Sequence, residues 1–285
     1  MRAGARRSQR GHPSLLDPAD LGTLEALFAR HRFRPTHRLG QNFLVDPQLR
    51  DRVAEEAGAG ATATVLEVGA GPGSLTVALA ERAGKVIAVE LDRRLIGVLR
   101  EVTAGDSRVE VLEGDMLKLP LPSVPFVAGN IPYYLTGALL PRLLERPDPP
   151  RRVSLVVQKE VAERWVQAGD WSLATLAVQI FAVPELRFTL PRDAFWPVPG
   201  VDSALVTLAV RERPAVDVPD MSAFFAFAER IFQFRRKQLG NILTRLAGPA
   251  AKVVLEAAEI DPQRRPQTLS LGEWEALHRA FEARG

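Results

Sequence analysis

The chain of 285 residues contains no cysteine, which excludes disulfides, thiolate metal sites and cysteine nucleophiles together and leaves the redox compartment unread. Its four histidines (His12, His31, His37, His278) stand far apart and form neither an H-x-x-x-H nor an HExxH element. A histidine-based zinc site or a Ser-His-Asp triad therefore has little support, and no metal is expected. No run approaches the ~18 apolar residues of a membrane span. Residues 1–12 carry Arg2, Arg6, Arg7 and Arg10 without an acid, yet no apolar stretch of signal-peptide length follows. The expectation is a soluble, cytoplasmic protein with no membrane partner, in which residues 1–16 form a basic, disordered arm. Asparagine and tyrosine are nearly missing too. The three asparagines are Asn42, Asn130 and Asn241, and the two tyrosines are Tyr133 and Tyr134, so Asn130-Ile131-Pro132-Tyr133 concentrates residues that the rest of the chain avoids.

What is present is ordinary in bulk. A hydrophobic content of 46% and a charged content of 25% suit a soluble globular protein with a sizeable core. The net charge of +3 does not by itself demand a nucleic-acid partner, but basic charge is clustered. Arg30, Arg32, Arg34 and Arg38 lie with two histidines in a stretch free of acids, and Arg235-Arg236-Lys237 forms a second cluster. Solvated helix faces explain such runs as readily as contact with a polyanion does. With only five lysines, the arginine excess also fits a GC-rich coding bias.

From about residue 63 to 211, apolar runs of strand length alternate with helical patterns, as in a sheet with crossover helices. Strands are expected at 64–68, 85–90, 108–112, 124–128 and 153–158, and an antiparallel pair at about 185–190 and 204–210. Helices are expected at 74–82 and 93–102. Residues 211–220 are charged, contain two prolines and lack periodicity, and read as a linker. Beyond it, helices are expected at 222–232, 235–246, 250–258 and 270–283, the last with Ser270 and Glu273 spaced as a capping box.

The chemistry-bearing residues fall at strand ends. Glu67-Val68-Gly69-Ala70-Gly71-Pro72-Gly73 turns the first of these strands into a helix, where an open α/β sheet binds its ligand. Ser74 occupies the third glycine of the G-x-G-x-x-G offset, so the spacing leans away from a nicotinamide dinucleotide and its pyrophosphate. Glu90 ends the next strand and suits a ribose diol; Gly114-Asp115 follows the third and suits an exocyclic amine. Two acids there fit an adenosine with a cationic tail, while helix capping remains open for each. Asn130–Tyr133 follows the fourth strand and is either an Asn-initiated turn or a clamp for a flat amino-bearing base, with an amide to accept its hydrogen bonds and a ring to stack on it.

With these motifs in this order, the chain resembles the S-adenosylmethionine-dependent ribosomal RNA adenine N6-dimethyltransferases, and within them the enzymes of small-subunit (16S) RNA. The resemblance runs from about Leu24 to Leu277. It is carried by residues 39–46 (LGQNFLVD), 67–73, Glu90, 114–115, 130–133, 195–204 (FWPVPGVDSA), 234–241 (FRRKQLGN) and 260–270 (IDPQRRPQTLS). It implies a Rossmann-like, seven-stranded methyltransferase sheet over residues 17–211, a linker at 212–220 and a small helical RNA-binding domain at 221–285. It implies that Asn42, Leu44, Gly69, Glu90, Asp115 and Asn130 bind S-adenosyl-L-methionine, and that Tyr133 and Phe195 stack on a flipped adenine beside Asn130, Ile131 and Pro132. Arg235, Arg236 and Lys237 would meet RNA. Tyr134, Gly200 and Gly240 depart from the family, whose members commonly carry Asn, Lys and Arg there.

The implied activity is dimethylation of N6 of two adjacent adenines near the 3′ end of small-subunit ribosomal RNA, in ribosome biogenesis, on the RNA or on an assembling small subunit; a monomer is the default expectation. Two alternatives share the motifs: a large-subunit methyltransferase conferring macrolide resistance, and a non-catalytic assembly or transcription factor on the same fold. Intact Glu90, Asp115 and Asn130 weigh against the latter.

Overall fold

The computed structural model describes residues 16–36, 40–132, 135–167 and 171–284. The elements in chain order are α1 (Leu21–Arg30), β1 (Phe43–Leu44), α2 (Pro47–Glu56), β2 (Thr64–Val68), α3 (Ser74–Ala80), β3 (Lys85–Glu90), α4 (Arg93–Val102), β4 (Val109–Glu113), β5 (Phe126–Asn130), α5 (Thr136–Leu144), β6 (Arg152–Gln158), α6 (Lys159–Val166), α7 (Leu173–Phe181), β7 (Ala182–Leu190), β8 (Phe195–Trp196), β9 (Ser203–Val210), α8 (Met221–Phe232), α9 (Leu239–Ala247), α10 (Ala251–Ala257) and α11 (Leu271–Glu282).

Seven strands form one sheet in the order β4-β3-β2-β5-β6-β9-β7. Neighbours from β4 to β6 are parallel, and β9 runs antiparallel to both β6 and β7. The order reverses at β2, which pairs with β3 on one side and β5 on the other, so a crevice opens at the carboxyl ends of β2 and β5. β2 and β3 match the expected limits because their Val- and Ile-rich runs are buried on both faces. β5 starts two residues later than expected. Pro120, Pro122 and Pro125 cannot donate to a ladder, and the Pro125 carbonyl instead accepts from Arg151 and Arg152. At Gly129 a Cβ would lie 2.5 Å from the Val68 carbonyl oxygen, so only glycine lets β5 approach β2 this closely.

One face of the sheet, with Leu66, Val127, Val153 and Val206, shares a continuous apolar cluster with α5, α7 and the C-terminal helices, through Phe224, Ile231, Leu243, Trp274 and Phe281. The other face packs against α2 and α3 in a second cluster that includes Val65, Val86 and Ala128. Ser270 accepts from the Glu273 N–H while the Glu273 side chain accepts from the Ser270 N–H, closing the expected capping box on α11. Residues 211–217 are fastened: Arg211 and Ala215 donate their N–H groups to the carbonyls of Phe181 and Ile180, and Val216 is buried.

The helix expected from Arg235 begins only at Leu239. Residues 234, 235 and 237 close successive three-residue turns, and the N–H groups of Leu239 and Gly240 go to the carbonyls of Arg264 and Pro262. A Cβ at Gly240 would meet Pro262 Cβ at 3.0 Å, so glycine permits this approach. The basic arm, apart from Leu16, lies outside the described residues, as do His37, Arg38 and the two tyrosines.

Candidate active site

The crevice is a cleft lined by Asn42, Leu44, Gly69, Glu90, Asp115 and Asn130 among others. All six residues expected to hold a cofactor thus face one space. The carboxyl ends of β2, β3, β4 and β5 deliver Gly69, Glu90, Asp115 and Asn130, and the β1 segment supplies Asn42 and Leu44 from the far side.

Gly69, Gly71 and Gly73 have φ of 70°, 58° and 96°, the left-handed region that glycine enters without steric cost. A Cβ at Gly71 would lie 3.3 Å from the Phe43 ring, so the loop and β1 approach each other through a glycine. The Glu90 carboxylate tightens the same loop: one oxygen accepts from the Gly71 N–H at 2.8 Å and the other from the Asp92 N–H at 2.7 Å. Burial raises its pKa, with the hydrogen bonds from Asp92 and Gly71 pulling the other way. Asp115 accepts from the Leu117 N–H at 2.9 Å.

Burial would also raise the Asp92 carboxyl, but hydrogen bonds from the Arg94 guanidinium and the Gln41 amide outweigh it, and the group lies below the usual range. Gln41 donates to Asp92 at 2.8 Å and accepts from the Thr36 N–H at 2.9 Å. Neither Gln41 nor Asp92 stood out in the sequence. Gln41 lay inside a motif read for Asn42, and Asp92 reads as an ordinary cap on α4, which it also is.

Asn42–Val45 is stitched down along its length. Phe43 and Leu44 pair with Trp196 and Phe195, Val45 donates to the Ala194 carbonyl at 2.8 Å, and the Ser74 hydroxyl donates to the Leu44 carbonyl at 3.0 Å. The Asn42 carbonyl accepts from Asn130 Nδ2 at 2.9 Å. That bond fixes the orientation of the Asn130 amide, so its Oδ1 is the atom left to accept from a ligand.

The remaining expected site residues divide. Pro132 lines the cleft, whereas the Ile131 side chain is buried and only its main chain can serve the site. Tyr133 lies outside the described residues. Phe195 is 2% exposed and belongs to the apolar cluster that contains Leu44, Val156 and Leu205, so its ring does not face the cleft. Arg235, Arg236 and Lys237 are exposed in the turn between α8 and α9 and stand apart from the cleft lining.

Four carboxyl groups line the cleft, those of Glu67, Glu90, Asp92 and Asp115, and among the described residues no lysine, arginine or histidine does. Such a surface opposes a pyrophosphate and favours an adenosine with a positively charged tail. No group of three His, Asp or Glu side chains that could hold a metal occurs among the described residues, and no helix there is long and apolar enough to cross a membrane.

The family model for ribosomal RNA adenine dimethylase matches residues 31–281. The chain belongs to this family. Curated relatives named ribosomal RNA small subunit methyltransferase A include the proteins of Pelotomaculum thermopropionicum, 40% identical over 92% of this chain and 97% of that one, and Geobacillus thermodenitrificans, 35% identical over 93% and 97%. Among solved structures, a dimethyladenosine transferase from Plasmodium falciparum aligns with a TM-score of 0.71 at 27% identity, over 85% of this chain and 98% of that one. The 23S ribosomal RNA methyltransferase ErmE aligns with a TM-score of 0.64 at 31% identity, over 85% and 100%. As a member of the dimethylase family the chain is an S-adenosylmethionine-dependent methyltransferase, and the acid-lined cleft fits that cofactor.

Proposed function

We propose that this dimethylase methylates N6 of two adjacent adenines near the 3′ end of small-subunit ribosomal RNA. The carrying observation is the Asn130 amide, which is held through its nitrogen by the Asn42 carbonyl and lines a cleft that is acidic among the described residues. The lone pair of adenine N6 is delocalised into the ring, so attack requires the nitrogen to become more tetrahedral. Asn130 Oδ1 and the Ile131 carbonyl accept the two amine hydrogens and favour that form. No strong base is needed, because the bound cofactor supplies a methyl group on a sulfonium, and catalysis rests on alignment and electrostatic complementarity. Asn42, Leu44, Gly69, Glu90 and Asp115 hold the cofactor, Glu90 at the ribose and Asp115 at the adenine amine.

Tyr133 stacks on one face of the flipped base. Phe195 serves the other face only if its ring turns out of the cluster in which it is buried. Residues 17–211 form the catalytic unit, 212–220 a connection, and 221–285 a helical unit whose Arg235, Arg236 and Lys237 contact the RNA backbone. The protein works in the cytoplasm as a monomer, on small-subunit ribosomal RNA or an assembling small subunit. The resemblance of residues 260–270 to the small-subunit enzymes supports that target over the large subunit.

Incubation with labelled S-adenosylmethionine and either small- or large-subunit particles, followed by mapping of the modified base, tests the reading. Label in two adjacent adenines of the small-subunit RNA is expected. Label confined to the large subunit would transfer the chain to the resistance enzymes, and label in neither would favour a binding factor.

A further inference from the structure

Two of the four carboxyl groups in the cleft touch no ligand in this reading: Asp92 is engaged by Gln41 and Arg94, and Glu67 is left over. Glu67 occupies the penultimate position of β2, between Ala88 of β3 and Ala128 of β5. It is 1% exposed and lines the cleft, and its Oε2 has no hydrogen-bond partner. The Thr76 hydroxyl on α3 is also buried and lies close enough to act on the group, though outside hydrogen-bond geometry. A lone buried carboxylate is so costly that the group takes up a proton instead. Burial pushes the Glu67 carboxyl up to about 8; nearby Thr76 pulls it down in part, and the charge of Glu90 raises it further. The other ionisable groups lining the cleft, Asp92 and Asp115, are acids as well, so among the described residues no cation there balances an ionised Glu67.

We infer that Glu67 is a proton-linked counter-ion: a neutral acid in the free protein, it releases its proton to solvent when a ligand with a positively charged tail enters the cleft. The inference rests on the cofactor assignment above. The step balances, since the Glu67 O–H bond breaks, one proton passes to water or buffer, and the carboxylate left behind faces one positive charge. Cofactor uptake then strengthens with pH up to the free group's titration, and a less positively charged ligand gains less from it.

Three adenosyl ligands separate the sources of charge. S-adenosylmethionine carries a sulfonium and an ammonium, S-adenosylhomocysteine keeps only the ammonium, and 5′-methylthioadenosine has neither. Isothermal titration of the full chain near pH 7, in buffers of different ionisation enthalpy, counts protons released per ligand bound. For S-adenosylmethionine about one proton is expected, falling toward zero well above pH 8, with affinity rising up to about tenfold per pH unit below it. 5′-Methylthioadenosine should release none. Release with S-adenosylhomocysteine assigns the partner as the ammonium, and its absence assigns the sulfonium. Glu67→Gln should abolish release while binding 5′-methylthioadenosine like the wild type, which also checks its fold. If that variant does not fold, the wild-type ligand series still decides. Binding of S-adenosylmethionine without proton release, or equal release with 5′-methylthioadenosine, overturns the inference alone; failure of all three ligands to bind overturns the cofactor assignment with it.

Discussion

Asn130 Nδ2 donates to the main-chain carbonyl of Asn42 at 2.9 Å, joining the end of β5 to the segment that walls the cofactor cleft. An amide can present either its oxygen or its nitrogen to a ligand, and this bond selects the oxygen. Asn130→Ala should therefore lose methyl transfer by at least about 100-fold, the scale of one hydrogen-bonding group aimed at the reacting centre, with cofactor affinity within a few-fold of the wild type. Asn130→Asp should also be impaired, because a carboxylate cannot donate to the Asn42 carbonyl. Single-turnover transfer combined with equilibrium cofactor binding checks both, and substantial transfer by the alanine variant would sink the proposed role.

Gln41 ties the same segment to the tip of β3 by bridging Thr36 and Asp92. Each such bond contributes about 1 kcal/mol, so Gln41→Leu should weaken cofactor binding by roughly 5–30-fold. The maximal rate at saturating cofactor should change little, since the Asn130–Asn42 bond does not involve the Gln41 side chain. An unchanged dissociation constant with a fallen rate would show that Gln41 acts on the base site instead.

Strand ends were legible in the sequence where burial imposes a continuous apolar run. β2 and β3 follow their Val- and Ile-rich segments to the residue, which placed Gly69 and Glu90 at one crevice. β1 and β8, two residues each, are too short to leave a period, and their pairing joins segments remote in sequence. That pairing buries Phe195, whose setting among prolines reads alike for a stacking ring and a packed one. The basic turn before α9 read as helix because its residue types suit a helix. The decisive competitor, the Pro262 and Arg264 carbonyls, lies in a distant segment. Glu67 opens the glycine-rich motif, but its missing partner is a property of three-dimensional packing.

Phe195→Leu separates the two roles of that side chain. The swap keeps apolar bulk inside the cluster and should cost under about 1.5 kcal/mol of stability, whereas loss of a stacked ring costs ~1–3 kcal/mol per base. We expect transfer to RNA to fall about tenfold with unchanged cofactor affinity and a small shift in Tm. A variant with full activity would assign Phe195 to packing alone.

Replacing Arg235, Arg236 and Lys237 by Ala should leave cofactor binding intact and weaken RNA binding. Each lost phosphate contact reduces the slope of log K against log salt by about 0.7–0.9, so a decrease of roughly 2 or more is expected for the triple variant. Affinity measured across a salt series reads this directly. An unchanged slope would return the turn to solvated surface.

Glu67 also gives the free protein a pH-dependent stability whose sign is fixed. Its carboxyl titrates at about 8 when folded against an ordinary value of 4.5, so between those values the folded chain holds a proton that the unfolded chain has lost. Stability therefore falls as pH rises through this window, by at most about 1.4 kcal/mol per unit of difference. The contribution is fully present below 4.5 and gone once the folded group ionises. Glu90 is raised as well, so the wild type alone cannot isolate Glu67. The comparison with Glu67→Gln can, because the amide has no proton to lose: thermal melts of the two proteins without ligand should diverge between the ordinary value of 4.5 and about 8, the wild type losing more Tm. Parallel profiles would mean that Glu67 is already ionised in the free protein and has found a partner.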